Sequence, residues 1–400
     1  MKVKIEKSKY SGTINVPSSK SYSHRYLLAA MLSKNSSVVN NIYYSNDVMA
    51  TLNCMSSFGC DYKKDANSVT VFNNNKVVDN PIFDCNESGS TLRFLIPIAL
   101  TKYENVTFKG TVKLIERGID VYEEILSKQN IQVIKNKESI IIKGKLKVGT
   151  YDVNGSSSSQ YITGLLFALP LLDGDSIINI IPPFNSYNYV DMTLKVLEEY
   201  GIKIIKKGLE LHIKGNQNYI AKDVIVEGDY SNSAFLDALN YLDNKVNVLG
   251  LVTPSLQGDK VYLEYFEKIN KEHTSLSVSN CIDLAPVLMA LASIKHGVTL
   301  TGTNRLKIKE SDRAAAMQQE LYKIGVNVDI FDNFLIVHKC DLHKPIQAFD
   351  SHNDHRIAMA LSILSSIFDI EIDNYQAVSK SYPTYFEDLI KLGGKITYEN

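Results

Sequence analysis

PSSKSYSHRYLLAAML, Pro17 to Leu32, sets a Ser-rich turn carrying Lys20 and Arg25 directly against an apolar helix rich in Ala and Leu. Five later stretches repeat the plan: NESGSTLRFLIPIAL from Asn86, NGSSSSQYITGLLFALPLL from Asn154, DYSNSAFLDALNYL from Asp229, NCIDLAPVLMALASI from Asn280 and SHNDHRIAMALSIL from Ser351. Their starts fall roughly 70 residues apart, and once roughly 50, the interval of a supersecondary unit copied six times. A helix that opens on Ser, Asn, Gly and a cation offers unpaired N–H groups and the positive end of its dipole, which is an anion site. Six such starts brought together would suit one polyanionic ligand.

Within the first unit the pattern predicts a strand over Gly12–Val16, the head helix, a strand over Ser37–Asn40 and a second helix over Asn46–Phe58. Val48, Leu52, Met55 and Phe58 line one face of that helix, and Gly59 follows its end. Two short strands, Asp61–Lys64 and Ser68–Phe72, close the unit. The order recurs from Pro81, and the later second helices stop at Gly or Asn in KQNIQVI, EYGIKII, KIGVNVD and KLGGKIT. Each unit therefore reads β-α-β-α-β-β, an α/β pattern; the fourth lacks its closing pair, which accounts for the shorter spacing. The head helices YITGLLFALPLL and APVLMALASI are apolar nearly all round, so they belong inside, with the sheets outside and the polar starts toward a cleft between domains. Six units exceed one core. Residues 17–227 are expected to form one three-repeat domain, and 1–16 with 228–400 the other.

Composition narrows the function. Apolar residues make up 44% and charged residues 22%, with a net charge of −1, which excludes general affinity for nucleic acid or an anionic membrane. The five cysteines are scattered and never form a CxxC or a Cys/His cluster, so neither a disulfide framework nor a metal site is expected. The opening MKVKIEKSKY alternates as a strand does, and no run reaches the length of a membrane span. A reducing, cytoplasmic setting is expected.

Arginine is scarce: six copies against 37 lysines. Arg25, Arg93 and Arg356 lie at heads of repeat helices, Arg313 opens another helix, and Arg117 and Arg305 lie in connections. A planar guanidinium binds carboxylate or phosphate through two parallel hydrogen bonds, which ammonium cannot imitate. The competing reading is ordinary surface ion pairs. In RLKIKESDR, Lys309 and Glu310 precede a helix that begins Ser311-Asp312-Arg313. Glu310 is a candidate for proton exchange, whereas Asp312 reads as a helix-start acid. Asp283, flanked by Ile282 and Leu284, is either a helix cap or a base. Lys380 precedes PTYFEDL. Ser186 and Tyr189 could hydrogen-bond a ligand, and His24 and His355 have no metal-ligand company.

These residues resemble the EPSP synthases (3-phosphoshikimate 1-carboxyvinyltransferases) of the enolpyruvyl transferase family over essentially the whole chain. The carrying motifs are Lys20-Ser21 through Arg25, Asn86 to Arg93, Glu116-Arg117, Ser158-Ser159-Gln160, Ser186 with Tyr189, Asp283, Lys309 to Arg313, Asn353 to Arg356, and Lys380 to Pro383. The resemblance implies two domains, each an inside-out α/β barrel of three βαβαββ units, in a monomeric enzyme that needs no metal or other cofactor. It implies transfer of the enolpyruvyl group of phosphoenolpyruvate to the 5-hydroxyl of shikimate 3-phosphate through a tetrahedral intermediate. Shikimate 3-phosphate would be held by Lys20, Ser21, Arg25, Ser158, Ser159, Gln160, Ser186 and Tyr189, with ring hydroxyls near Asp283 and Lys309. Phosphoenolpyruvate would be held by Lys20, Gly89, Arg117, Gln160, Arg313, Arg356 and Lys380. Asp283 would take the hydroxyl proton, Glu310 would protonate the methylene, and Lys20 would neutralise charge or share the proton traffic.

Two features depart from the family pattern: Glu87-Ser88-Gly89-Ser90 where many members have Asn-Ala-Gly-Thr, and Arg305 where some have Asn. The alternatives are a UDP-N-acetylglucosamine enolpyruvyl transferase, which usually shows Lys-Asn in place of Lys20-Ser21 and a Cys in the loop reading GTVKLIERG here, and a non-catalytic phosphate-sugar binding protein, which would have no reason to keep Asp283 and Glu310.

Overall fold

A computed structural model of the chain describes residues 1–74 and 76–399. It divides into two compact units, Ser18–Glu227 and, separately, Met1–Pro17 together with the chain from Gly228 onward. The polar heads of the repeats are helix caps. Ser19 accepts from Tyr22 N and starts Lys20–Leu32; Ser88 accepts from Thr91 N and starts Gly89–Lys102; Ser158 accepts from Gln160 N and starts Ser159–Ala168. In the other unit Asp229 caps Tyr230–Asp237, and Asp354 caps His355–Ser362. The helix Ala285–Ile294 is entered differently, through the tight turn Ile282–Leu284 with Pro286 in its first turn. Each side-chain cap satisfies a donor that the helix itself leaves unpaired. Beyond the caps the helices have almost no solvent face: Ala285 through Ser293 are all buried, as are Thr91 through Leu100. The strands alternate buried and less buried positions, as in Ser139–Lys143 and Thr150–Asn154, so helices form the inner layer of each unit and sheets the outer one.

The sheets share one plan. In the second repeat Ile82–Asp84 runs parallel to Asn105–Lys109, which pairs antiparallel with Ser139–Lys143, and Gln132–Lys135 lies at the edge. The third and fifth repeats follow the same order. The first repeat departs from expectation. Its strand Ser37–Asn40 takes a parallel partner from Val224–Ile225, whereas Ser11–Asn15 runs parallel to Lys245–Leu249 of the fourth repeat. The segment returning from the third repeat completes an edge that would otherwise present unpaired N–H and C=O groups. In the sixth repeat Lys2–Glu6 fills the slot between Ile370–Asp373 and Lys395–Glu399. The fourth repeat, lacking its closing pair, contributes only that two-stranded sheet.

The crossing of Gly89–Lys102 with Ser159–Ala168 is closely fitted. Pro97 lies inside Gly89–Lys102 and has no N–H to offer Arg93 O, four residues earlier. Tyr122 Oη takes the vacated role, its single proton shared between Arg93 O at 2.8 Å and Tyr161 O at 3.0 Å. Gly164 makes room for it: a Cβ there would lie 2.4 Å from Tyr122 Oη and 2.6 Å from Arg93 O. Gly164→Ala is therefore expected to lower the unfolding free energy by about 1–3 kcal/mol, the usual cost of overpacking, measured as a reduced urea midpoint at unchanged m-value.

Candidate active site

In the unit Ser18–Glu227 the arginines at the heads are held by neutral oxygens. Arg25, 3% exposed, donates through Nε to Thr193 Oγ1 at 2.9 Å, through Nη1 to Ser21 O at 2.7 Å and through Nη2 to Tyr189 O at 3.0 Å. Its guanidinium also lies 5.2 Å from the Phe94 ring centre. Burial pushes its pKa down to about 10, which still leaves it charged at neutral pH. Arg93 donates through Nη1 to Gln160 Oε1 at 2.8 Å and through Nη2 to Gly118 O at 3.0 Å and Arg117 O at 3.2 Å. Burial lowers its pKa as well. Gln160 in turn donates to Ser90 Oγ at 2.9 Å.

Gly89 marks where two of these charges meet. A Cβ on Gly89 would lie 3.0 Å from Arg93 Nη1 and 3.3 Å from Arg117 Nη2, at the first residue of a 14-residue helix. Two guanidinia and a helix N-terminus thus converge on a bare Cα, an arrangement suited to an anion with more than one oxygen. Lys20 Nζ lies 2.7 Å from Asp47 Oδ2. Ser159 and Ser186 are buried, and Ser186 holds φ +54°, a left-handed conformation uncommon for a non-glycine residue, just before the helix Tyr187–Glu199. His24 Nδ1 is 2.7 Å from Thr51 Oγ1, and that oxygen is 2.7 Å from Thr91 Oγ1. Burial, then Lys20 and Arg25, holds the His24 pKa far below the usual histidine value, so the imidazole is neutral.

The second cluster lies in the other unit and is balanced internally. Arg313, 1% exposed, donates through Nη1 to Asp283 Oδ1 at 2.7 Å, through Nη2 to Glu310 Oε2 at 2.8 Å and through Nε to Asp354 Oδ2 at 2.8 Å. Burial alone would lower its pKa, but Asp354, Glu310 and Asp283 raise it. Asp283 also meets Lys309 Nζ at 3.1 Å and Arg356 Nη2 at 3.3 Å. Burial pushes the Asp283 carboxyl upward, yet Arg356, Lys309 and Arg313 together hold it well below the ordinary carboxylate range. Burial lowers Lys309, against the pull of Asp283. Lys380, 8% exposed, donates to Asn353 O at 2.5 Å. Asp312 caps its helix through Ala315 N, as a helix-start acid should, whereas Asp283 caps nothing and faces the cations.

Some members of these clusters carry no assigned ligand in the sequence reading. Arg93 is singled out there only as one of the scarce arginines. Asp354 lies in a motif segment, and its carboxylate both caps a helix and pairs with Arg313. Asp47 and Asp259 carry no such mark. Asp259, 2% exposed, accepts from Ser231 Oγ, and burial followed by the Asp283 charge pushes its pKa up to about 7. It lies in SLQGDK, outside every repeat head, so neither period nor composition singles it out. Among the described residues no group of three or more His, Cys, Asp and Glu side chains is disposed to hold a metal ion.

Comparison with known proteins gives a concordant result. The family model described as EPSP synthase (3-phosphoshikimate 1-carboxyvinyltransferase) matches residues 5–389. The chain is 41% identical to the 3-phosphoshikimate 1-carboxyvinyltransferase of Clostridium kluyveri, and 39% identical to that of Clostridioides difficile, in each case with 98% of both chains covered. Among solved structures, an EPSP synthase from Acinetobacter baumannii aligns with a TM-score of 0.79 at 22% identity, covering 99% of this chain and 100% of that one. The enolpyruvyl transferase NikO from Streptomyces tendae aligns at 0.77 and 14% identity, covering 100% of this chain and 98% of that one. These two likenesses bear on the fold.

The cations around Asp283 make a pH prediction. Asp283→Asn leaves Lys309, Arg313 and Arg356 short of a counter-charge and is expected to cost about 2 kcal/mol of stability at pH 7, less than for a fully buried pair because the Asp283 side chain keeps 19% exposure. A carboxyl with a depressed folded pKa stabilises fully above its unfolded value of about 4 and loses that contribution as pH falls toward the folded one. The gap between wild type and variant in urea denaturation should hold steady from about pH 7 to pH 5 and close below about pH 4. A gap that widens with acidification contradicts the ionised assignment.

Proposed function

The chain belongs to the EPSP synthase (3-phosphoshikimate 1-carboxyvinyltransferase) family, and from that premise we propose how its two side-chain clusters divide the reaction. The enzyme transfers the enolpyruvyl group of phosphoenolpyruvate to shikimate 3-phosphate in the shikimate pathway, a route to the aromatic amino acids. In our reading the acceptor is the 5-hydroxyl. The observation that carries the assignment is the contrast in counter-charge: Arg25 and Arg93 donate to neutral oxygens, while Arg313 donates to three carboxylates. Charge left uncancelled attracts an anionic ligand; charge already cancelled orients the carboxylates that move protons.

Shikimate 3-phosphate is assigned to Lys20, Ser21, Arg25, Ser158, Ser159, Gln160, Ser186 and Tyr189, with Asp283 and Lys309 toward its ring hydroxyls. Phosphoenolpyruvate is assigned to Lys20, Gly89, Arg117, Gln160, Arg313, Arg356 and Lys380. Arg93 joins the second set, because it converges with Arg117 on Gly89. Arg313 can serve a ligand only by exchanging one of its carboxylate partners, so its contribution falls late, when charge develops.

In the addition step Glu310 enters as the neutral acid, with a proton taken up from solvent; the acceptor oxygen bonds to C2 of phosphoenolpyruvate, its proton passes to Asp283, and the methylene carbon takes the proton of Glu310. The product is a tetrahedral ketal phosphate. In the elimination step Glu310 takes a proton back from the methyl group, the bond from C2 to the phosphate oxygen breaks, and phosphate leaves with the proton held by Asp283. Asp283 is suited to this because three cations keep it ionised: it accepts a proton only as the hydroxyl becomes acidic through bond formation. Arg313 spans both carboxylates and keeps them in fixed relation. The reading extends to a monomeric enzyme, and to the cytoplasm, for which the scattered, free cysteines are the support.

Phosphate release with phosphoenolpyruvate plus shikimate 3-phosphate, and none with UDP-N-acetylglucosamine, is the expected result; the reverse preference overturns the assignment. Glu310→Gln keeps the hydrogen-bonding shape but cannot transfer a proton, so turnover should fall by roughly 10²- to 10⁴-fold with both ligands still bound. Solvent deuterium should then cease to enter the methylene of phosphoenolpyruvate. Undiminished exchange would remove Glu310 as the acid.

A further inference from the structure

Glu320 lies two turns beyond Arg313 on the helix Arg313–Tyr322 and has no exposed surface. Its Oε2 accepts from Lys323 Nζ at 2.7 Å and from Asp350 N at 2.8 Å, and its Oε1 accepts from His352 Nε2 at 2.8 Å. Lys323 also donates to Ala348 O at 2.9 Å. A buried carboxylate gathered in this way is no better for stability than well-packed apolar groups of the same size, so it points to a positional role. The donors have one thing in common: they fix the strand Phe349–Asp350 and the turn that follows it.

That turn is strained and strapped. His352 and Asn353 are consecutive non-glycine residues at φ +51° and +52°, a conformation that persists only where the surroundings impose it. Asp350 Oδ1 accepts from His352 N at 2.8 Å and from Asn374 Nδ2 at 3.1 Å, and Ser351 Oγ donates to Asn374 O at 2.8 Å. The turn then delivers three contacts to the second cluster. Asn353 O receives Lys380, Asp354 receives Arg313 and Ser311, and Arg356 follows in the helix that Asp354 caps. One helix therefore meets the turn twice, through Arg313 at its head and through Glu320 near its end.

We propose that Glu320 and His352 are positioning residues for the phosphoenolpyruvate end of the reaction, clamping the turn Ser351–Asp354 so that Lys380 and Arg356 are held in register with Arg313. This rests on the assignment of Lys380, Arg356 and Arg313 to phosphoenolpyruvate. The charged groups facing His352 are Glu320 and Lys323 from the helix and its C-terminal end, and Asp350 from the strand. The hydrogen bond to Glu320, then the charges of Glu320 and Asp350, raise its pKa against burial and Lys323. With a raised folded pKa the charged clamp is complete at low pH and weakens as pH rises through that value.

The test uses the full chain, with kcat and both KM values measured from about pH 6 to pH 9, a span that starts near the ordinary histidine value of about 6.5 and extends above it. His352→Phe, which removes both ring nitrogens, should raise KM for phosphoenolpyruvate about tenfold, the order expected for losing one charge-assisted hydrogen bond, with KM for shikimate 3-phosphate and kcat within about twofold. His352→Gln, a neutral donor of similar reach, should recover most of that KM but lack the alkaline fall in kcat/KM for phosphoenolpyruvate seen in the wild type. Wild-type KM and an unaltered alkaline limb in both variants overturn the proposal, as does an equal rise in both KM values. A separate readout is the imidazole titration of His352 by NMR, whose midpoint should move down toward the ordinary histidine value in Glu320→Gln. An unmoved midpoint overturns the clamp even if the wild-type chain proved to have a different activity, whereas absent enolpyruvyl transfer with a moved midpoint would overturn only the functional reading.

Discussion

What a buried guanidinium donates to decides what it can do, and the two clusters of this chain depend on that distinction. Arg25 and Arg313 are both buried, yet Arg25 meets hydroxyls and carbonyls while Arg313 meets Asp283, Glu310 and Asp354. The first keeps its charge at the expense of desolvation, which pulls its pKa down; the second gains more from its partners than burial removes. In the proposed division of roles, a charge held among neutral oxygens serves as the ligand site, and a charge already matched serves as a scaffold for its carboxylates.

The fold supplies both settings from one repeated device. A short polar side chain caps a helix, the helix body is apolar on every side, and an outer sheet covers it. Because the body must be buried, the capped end is the part of each helix where polar groups can gather at little cost. Residues one turn into the helix, such as Arg25 and Arg93, are then carried into the interior with their heads among the caps and carbonyls of neighbouring helices. Pro97, Tyr122 and Gly164 show how tightly this is fitted, since Tyr122 reaches Arg93 O only where Gly164 leaves room.

Much of this organisation can be read from residue order. The six heads, the second helix from Asn46 and the strands Ser37–Asn40, Asp61–Lys64 and Ser68–Phe72 follow from periodicity and from Gly or Asn stops, because local chemistry determines them. Strand partners do not follow. The strand near Gly12 was expected to open the first repeat, but Val224–Ile225 fills that place, a pairing between segments far apart in sequence that no local pattern encodes. The candidate site divides the same way. Scarcity picked out every arginine, and position separated Asp312 as a cap, yet Asp47, Asp259 and Glu320 acquire their partners only through tertiary contacts. Asp283, open between cap and base in the sequence, shows its partners only in the folded chain, where it meets Lys309, Arg313 and Arg356.

The contrast between matched and unmatched arginines is measured most directly by calorimetric binding of shikimate 3-phosphate to Arg25→Gln and Arg313→Gln, with thermal unfolding followed in parallel. Arg25→Gln should lose at least about tenfold in affinity, the effect of removing one charge-assisted contact, with an unfolding midpoint that is unchanged or raised. Arg313→Gln should lower the unfolding midpoint, since Asp283, Glu310 and Asp354 lose their common partner, and should affect shikimate 3-phosphate affinity less. The opposite pattern, destabilisation from Arg25→Gln with affinity retained, would contradict the division of roles between the two clusters.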